Sequence, residues 1–185
     1  MEVPTLDAGI VTLRPWRPDE ASWYVSARDD AVLRWTREPD TMTTEQCAAQ
    51  ISRTQGSDRH GSFAIVDCDS GQLVGNVGIT VHHQSVELSY WVAAEARGRG
   101  IAAAALAAAA EWAAAALDRP LLELDTHPDN LASQSVARRA GFVAAGRRPA
   151  RDDCGDVDGM VAHFERRALP AEAEGSMPDP GQGIS

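Results

Sequence analysis

The stretch Glu87–Gly100 (ELSYWVAAEARGRG) and the run Ile101–Leu117 (IAAAALAAAAEWAAAAL) after it decide how this chain of 185 residues folds. The first predicts a β-strand that ends in a loop rich in glycine and arginine, and the second predicts an alanine-rich helix. Backbone N–H groups in the first turn of a helix have no intrahelical partner and carry partial positive charge. Because Gly98 and Gly100 let the backbone approach a ligand closely, the arrangement predicts an anion-binding site suited to phosphate.

The composition argues against several classes of function. The chain has 17 Lys and Arg against 27 Asp and Glu, a formal net charge of −10, which argues against a nucleic-acid-binding surface. An acidic surface favours either an amine-bearing partner or simple solubility. The three cysteines are widely spaced and form no C-x-x-C pair, which favours a reduced, cytoplasmic location. No signal segment is visible and no membrane span is expected, because the apolar helix is almost all alanine and contains Glu111. No metal site is expected either, since the adjacent His82 and His83 lie in a polar turn.

The order of elements predicts one domain over residues 1–167 and a disordered tail over 168–185, which is rich in Pro, Ala, Glu, Gly and Ser. The fourth and fifth predicted strands are joined by the alanine-rich helix and should run parallel, whereas hairpins make most other pairs antiparallel. This pattern predicts an α+β (mixed α/β) domain around a central twisted sheet of about seven strands. Strands are predicted at 10–13, 62–68, 73–81, 86–93, 121–126, 142–146 and 157–166, and helices at 18–28, 30–35, 43–54, 101–117 and 130–140.

Three sequence patterns resemble a known family. Arg97–Ala102 (RGRGIA) resembles the R/Q-x-x-G-x-G/A signature of the GNAT superfamily of N-acetyltransferases. Asn130–Ser133 (NLAS), followed by Gly141 and Phe142, resembles the second signature of that family. Glu87–Trp91 (ELSYW) resembles the branch that acetylates the N-termini of ribosomal proteins. Because these patterns occur in the family's order, the resemblance is more specific than a glycine loop alone.

The resemblance implies acetyl-coenzyme A as the acyl donor, bound where the fourth and fifth strands splay apart. The glycine-loop amides would wrap the pyrophosphate, the end of the fourth strand would pair with pantetheine, and a backbone N–H near Val92 would stabilise the oxyanion. Asn130 either contacts pantetheine or only caps its helix. The implied cofactor-binding residues are Trp91, Val92, Ala93, Arg97, Gly98, Arg99, Gly100, Ile101, Ala102, Ala103, Asn130, Ser133 and Arg138. Besides Arg97, Arg99 and Arg138, four more arginines are expected on this side of the domain: Arg139, Arg147, Arg148 and Arg151. Two or three of these seven arginines are expected to touch phosphate.

The family's chemistry is attack by an amine on a thioester. A primary amine with a pKa of roughly 10 is almost fully protonated at pH 7, so the site must accept a proton. Glu87 and Asp125 match the acidic residues that often serve the family as the base, frequently through water, and Glu87 could also bind the amine. Alternatively, Glu87 is a surface acid and Asp125 caps a helix. Many relatives protonate the leaving thiolate with a tyrosine, but that position is Ala137 here. Ser133 resembles the serine of the ribosomal-protein branch and is either a hydrogen-bond donor to the thiolate or a structural residue. His127 is either an exposed loop residue or a group that titrates at the mouth of the cleft.

The function that the resemblance implies is transfer of an acetyl group from acetyl-coenzyme A to a primary amine, by direct attack in a ternary complex. The acceptor is a protein N-terminus, a free polyamine or amino acid, or an aminoglycoside-type amine. It would bind over the N-terminal helices, where Trp16, Trp23 and Trp35 either line the pocket or pack in the core. The alternative is a catalytically silent module that binds coenzyme A, which Ala137 slightly favours. A homodimer is a further expectation, and neither nucleic acid nor membrane is expected as a partner.

Overall fold

One mixed sheet runs through the computed structural model, which describes residues 1, 3–151 and 159–168. The strands lie in the order β1-β2-β3-β4-β5-β6-β8-β7, and all neighbouring pairs are antiparallel except β5 and β6. Their bounds are β1 (Leu6–Asp7), β2 (Val11–Pro15), β3 (His60–Asp67), β4 (Leu73–Val81), β5 (Ser85–Val92), β6 (Leu121–Thr126), β7 (Val143–Pro149) and β8 (Met160–Arg167). The predicted architecture is confirmed, with eight strands in place of about seven because β1 has only two residues and shows no readable alternation.

The described helices are α1 (Ala21–Ser26), α2 (Asp30–Trp35), α3 (Thr44–Thr54), α4 (Ile101–Ala116) and α5 (Leu131–Arg139), with 3₁₀ turns at Pro18–Glu20 and Ala94–Ala96. The helix predicted over 18–28 ends at Ser26. Asp29 accepts a hydrogen bond from the Val32 N–H and so begins α2 as its N-cap. The predicted loop at 152–156 lies outside the described residues, as does the predicted tail apart from Ala168, so the domain boundary at 167 stays a prediction.

Helices cover both faces of the sheet. Alternation along β3 places Phe63 and Ile65 in the core under α4, whereas Ala64 packs with Cys47 and Ile51 of α3 on the other face. Alanine is the strongest helix former, and its small side chain allows α4 to lie close to the strands. The sheet-facing alanines of α4 are fully buried, namely Ala105, Ala109, Ala110 and Ala113.

The parallel strands β5 and β6 separate after three paired residues. Their register runs from Ser85 beside Leu121 to Glu87 beside Glu123 and stops there. β4 pairs with the other edge of β5 along its whole length, so β5 keeps one unpaired edge beyond Glu87. A Cβ on Gly75 of β4 would lie 2.4 Å from the Trp91 carbonyl oxygen, so glycine is needed for this close approach. The fold thus opens a gap next to the glycine loop.

Candidate active site

The glycine loop before α4 has the geometry of an anion site. Gly98 and Gly100 have φ angles of +78° and +83°, a backbone conformation that favours glycine. A Cβ built on either residue meets no protein atom within 4 Å, so both face open space. Ile101 is buried and anchors the first turn of α4. The unpaired amides and positive end of this helix therefore stand beside a space that an anion can enter.

The two arginines of this loop are held by acidic residues. Arg97 donates two hydrogen bonds of 2.8 Å to the Asp29 carboxylate and a third, of 2.9 Å, to the Val92 carbonyl oxygen. Arg99 pairs with Asp67 at 2.6 Å. The hydrogen bond from Arg97 lowers the pKa of Asp29. These side chains tie the loop to α2 and to the β3–β4 hairpin, which leaves the backbone amides as the main candidates for phosphate contact.

A cleft of about 490 Å³ extends from this loop between the end of β5, α2 and α5. Ten of the implied cofactor-binding residues line it, namely Trp91, Val92, Arg97, Gly98, Gly100, Ile101, Ala102, Ala103, Asn130 and Ser133. Ala93, Arg99 and Arg138 do not line the cleft, and the Arg138 guanidinium lies 5.4 Å from the centre of the Phe164 ring. Arg139 lines the cleft instead, because it lies one turn beyond Val136 on the same face of α5.

Tyr90 and Ser133 meet between β5 and α5. Their hydroxyl oxygens are 2.8 Å apart, and the Ser133 N–H donates to the Asn130 side chain, which caps α5 as predicted. Burial raises the pKa of Tyr90 to about 12, so this phenol keeps its proton at neutral pH. Ala137, at the position where the resemblance implied a tyrosine in many relatives, is fully buried. Sequence reasoning missed Tyr90, although strand alternation places it on the same face of the sheet as Leu88, the face that α4 and α5 cover.

A second cavity, of about 150 Å³, opens from the cleft where β5 and β6 diverge. It shares six lining residues with the cleft: Trp35, Thr36, Tyr90, Trp91, Asn130 and Ser133. Asp125 and His127 also line it, and the centres of the His127 and Trp35 rings are 5.1 Å apart. We call this second cavity the junction cavity, since it joins the cleft to the opposite face of the sheet.

Glu87 is buried in the sheet and does not line the junction cavity. Its carboxylate binds Arg37, accepts a hydrogen bond of 2.8 Å from Arg151, and lies 3.0 Å from His82 Nε2. Burial alone would raise the pKa of Glu87, but Arg37, His82 and Arg151 together outweigh burial and lower it. Glu87 is therefore ionised at neutral pH and holds two guanidinium groups, so it is not the surface acid of the alternative interpretation.

Glu123 and Asp125 lie next to Glu87 on the same face of the sheet. Glu123 accepts hydrogen bonds from the Ser85 hydroxyl, from Arg148 at 2.6 Å and from Arg151 at 2.8 Å. Although burial opposes ionisation, these three partners lower the pKa of Glu123 to about 2. Arg148 also binds Asp125, at 2.8 Å and 3.2 Å. The prediction that Arg148 and Arg151 face the cofactor is wrong, because the carboxylates on β5 and β6 draw both guanidinium groups to the opposite face.

A groove of about 500 Å³ continues from the junction cavity under α3, sharing Glu38, Asn76 and Ser89 with it. Trp16 lines this groove and donates a hydrogen bond of 2.9 Å to Asn76. Four aromatic rings pack together beside it: Trp23 stacks on Trp16 and on Trp91, and Tyr24 meets the same two rings edge to face. Of the three tryptophans expected in the acceptor region, Trp16 and Trp35 line cavities and Trp23 packs among rings.

The described ranges contain neither a cluster of metal ligands nor a helix able to span a membrane. No group of three or more His, Cys, Asp or Glu side chains in them is placed to hold a metal ion. None of the helices in that part of the chain is both long enough and apolar enough to cross a membrane. Cys47 and Cys68 are free thiols, and Cys154 lies outside the described residues.

This geometry can be compared with known proteins. Residues 11–143 match the family model of the acetyltransferase (GNAT) domain. The chain belongs to this family. It is therefore an acyltransferase, as the resemblance of the glycine loop and of Asn130–Ser133 implied. No curated protein matches the sequence.

Several solved structures share the GNAT fold of this chain. RimJ from Mycobacterium smegmatis, solved with CoA-disulfide, is 26% identical, with 91% of this chain and 89% of that chain covered and a TM-score of 0.73. Ribosomal-protein-S5-alanine acetyltransferase from Vibrio fischeri is 17% identical, with 90% and 97% covered and a TM-score of 0.74. Spermidine N-acetyltransferase from Vibrio cholerae, solved with CoA and spermine, is 16% identical, with 86% and 96% covered and a TM-score of 0.73. Ribosomal-protein acetyltransferases are thus among the structural relatives, in agreement with the resemblance of Glu87–Trp91.

Proposed function

We propose that this protein transfers an acetyl group from acetyl-coenzyme A to a primary amine by direct attack in a ternary complex. The observation that carries the proposal is the separation of β5 from β6 beyond Glu87 and Glu123. A phosphate-sized seat lies at one end of the resulting cleft, and a cavity lined by Asp125 lies at the other. A donor and an acceptor entering from opposite faces would meet in the gap between the two strands.

The residues of the cleft fit coenzyme A. The helix α4 amides behind Gly98 and Gly100 suit its pyrophosphate, and the unpaired edge of β5 suits the amide groups of pantetheine. The apolar side chains Val92, Ile101 and Val136 line the cleft and suit its alkyl parts. When bound, acetyl-coenzyme A supplies the thioester whose carbonyl carbon the amine attacks. A backbone N–H near Val92 would stabilise the negative charge that develops on the carbonyl oxygen.

The acceptor amine must lose a proton as it attacks. Asp125 lines the junction cavity and would accept that proton, directly or through water. Its orientation is fixed by Arg148 and by His163 Nδ1, which lies 2.8 Å from the other carboxylate oxygen. Glu87, the second candidate for the base, would act by positioning Arg37 and Arg151, since its lowered pKa makes it a weak base.

The leaving thiolate needs a hydrogen-bond donor on the opposite side of the reacting carbonyl. Ser133 lines both the cleft and the junction cavity and would donate a hydrogen bond from its hydroxyl group to the sulfur, without transferring the proton. Tyr90, 2.8 Å away, would donate to the Ser133 oxygen in turn. Because its pKa is about 12, Tyr90 keeps the proton that this relay requires. This pair takes the place of the tyrosine missing at Ala137.

Location and assembly complete the proposal. A cytoplasmic location is supported by the free thiols Cys47 and Cys68, because disulfides are the norm in oxidising compartments. A homodimer is proposed only because dimers are frequent in this family, and sedimentation velocity would test it.

Incubation of the purified full-length chain with acetyl-coenzyme A and a panel of primary amines tests the proposal. We expect release of free coenzyme A thiol and an acetylated amine detected by mass spectrometry, both absent from a sample that lacks the amine. Calorimetry with coenzyme A runs in parallel. Coenzyme A binding without transfer to any amine in the panel would identify a catalytically silent binding module, and no binding would contradict the assignment of the cleft.

A further inference from the structure

The charged groups around the junction cavity are arranged in two layers. The guanidinium groups of Arg37 and Arg151, which line the cavity, have side chains 40% and 35% exposed. The carboxylate that both of them bind, Glu87, is 5% exposed. Among the described residues, a molecule that enters the cavity therefore reaches these two guanidinium groups before the Glu87 carboxylate behind them, although the chain as a whole has a net charge of −10.

The acids that do line the cavity are already paired. Glu38 accepts hydrogen bonds from Tyr24 at 2.5 Å and from Arg28 at 3.4 Å, and Arg28 is itself buried. Asp125 is paired with Arg148. Among the described residues, the four carboxylates in and behind the wall, Glu38, Glu87, Glu123 and Asp125, are matched in number by four paired arginines, Arg28, Arg37, Arg148 and Arg151, so these groups together offer no surplus negative charge to a polycation. A site that selects polyamines would need carboxylates without such partners, because each ammonium group must recover the hydration free energy it loses.

We infer that the acceptor carries a carboxylate close to its amine, and that Arg37 and Arg151 bind this carboxylate while the amine faces Asp125. The inference rests on the proposed function and names its acceptor class. Guanidinium groups bind carboxylates through paired N–H donors, which orients the ligand as well as attracting it. Polyamines are excluded because they would place a second ammonium group beside the two arginines.

The size of the space limits the ligand. The junction cavity, of about 150 Å³, holds both the arginines and Asp125, so the amine and the carboxylate must belong to the same small part of the acceptor. An α-amino acid fits this description, and so does a peptide with an acidic residue next to its N-terminus. A peptide would continue into the groove of about 500 Å³ beyond Glu38, Asn76 and Ser89, whereas a free amino acid would leave that groove to solvent.

Matched pairs of acceptors test the inference. One arm compares alanine with alaninamide, and the other compares the amidated tripeptides Ala-Asp-Ala and Ala-Asn-Ala, with spermidine as the polycation. We expect kcat/KM to favour the carboxylate member of at least one pair by 10-fold or more, and spermidine to be the poorest acceptor. In the alanine pair this preference runs against the supply of neutral amine, because alaninamide has the less basic amine and therefore a larger neutral fraction near pH 7. Preference in the alanine arm alone indicates an amino acid, and preference in the peptide arm indicates a protein N-terminus.

The arginine variants show whether these residues cause the preference. Arg37→Gln and Arg151→Gln should each reduce the carboxylate-to-carboxamide ratio of kcat/KM to about 1, chiefly through KM. Arg151→Lys should keep part of the ratio that Arg151→Gln loses, since lysine keeps the positive charge but cannot donate two parallel N–H hydrogen bonds to a carboxylate. Arg59→Gln is the control, because it removes the same charge at an exposed position outside the cavities.

Two results would overturn the inference: spermidine as the preferred acceptor, or equal kcat/KM within both pairs in the parent chain. A ratio that survives both Gln variants would also reject the two arginines as its cause. If no amine is acetylated, the proposed function fails, and calorimetry with the N-acetylated forms of each pair then decides the inference. Weaker binding of the carboxylate forms to Arg151→Gln than to the parent would support it, and equal binding would reject it.

Discussion

Replacement of Gly100 by alanine tests the phosphate seat most directly. Gly100 has a φ of +83°, and a Cβ there meets no protein atom within 4 Å, so the added methyl group clashes with nothing in the free protein. The backbone conformation alone costs an L-residue about 1–2 kcal/mol. In the complex, the methyl group would stand where the pyrophosphate approaches the amides. Loss of two hydrogen bonds to a charged group, each worth about 1.5–3 kcal/mol, would weaken coenzyme A binding by about 100-fold or more.

Gly9 provides the matched control. It has a φ of +75°, and a Cβ there also meets nothing within 4 Å, but it lies in the β1–β2 turn away from the cleft. Differential scanning calorimetry should show a similar fall in Tm for both variants, about 2–4 °C per kcal/mol, because both carry the same backbone strain. Titration calorimetry with coenzyme A should separate them. Coenzyme A binding to Gly100→Ala within 3-fold of Gly9→Ala would refute the assignment of this turn as the phosphate seat.

Two further predictions concern side-chain networks. Tyr90→Phe and Ser133→Ala should each lower kcat by about 10- to 100-fold, and the double variant should be little worse than the poorer single variant, since the two hydroxyls act in one relay; additive losses would rule the relay out. Glu123, whose folded pKa of about 2 lies below its usual value near 4.5, should stabilise the fold by about 3 kcal/mol above pH 5. Because the folded-state pKa is depressed, this contribution should disappear as pH falls from about 5 towards 2. Urea unfolding of the parent and Glu123→Gln between pH 2 and pH 7 measures the difference, and parallel pH profiles would contradict the prediction.

The predictable parts of the site are those with local causes. Asn130 caps α5, and the hydrogen bond from Ser133 to its side chain spans only three residues. The glycine loop and α4 follow each other directly, so a phosphate seat could be proposed there before any tertiary contact was known. Within this loop, the expectation that two or three arginines touch phosphate ignored two acidic residues that are distant from the loop in the sequence. Asp29 binds Arg97, and Asp67 binds Arg99.

The sequence by itself determined the order and type of the main elements, because alternation, helix periodicity, caps and glycine turns act over a few residues. It also pointed to the family through motifs whose residues are close together in the chain. Only the tertiary structure decided which face of the sheet each charged side chain serves, that Tyr90 stands beside Ser133, and that Arg37 and Arg151 cover Glu87. These contacts join residues from 43 to 64 positions apart in the chain, and they form only because α5 and the segments that hold Arg37 and Arg151 pack against β5.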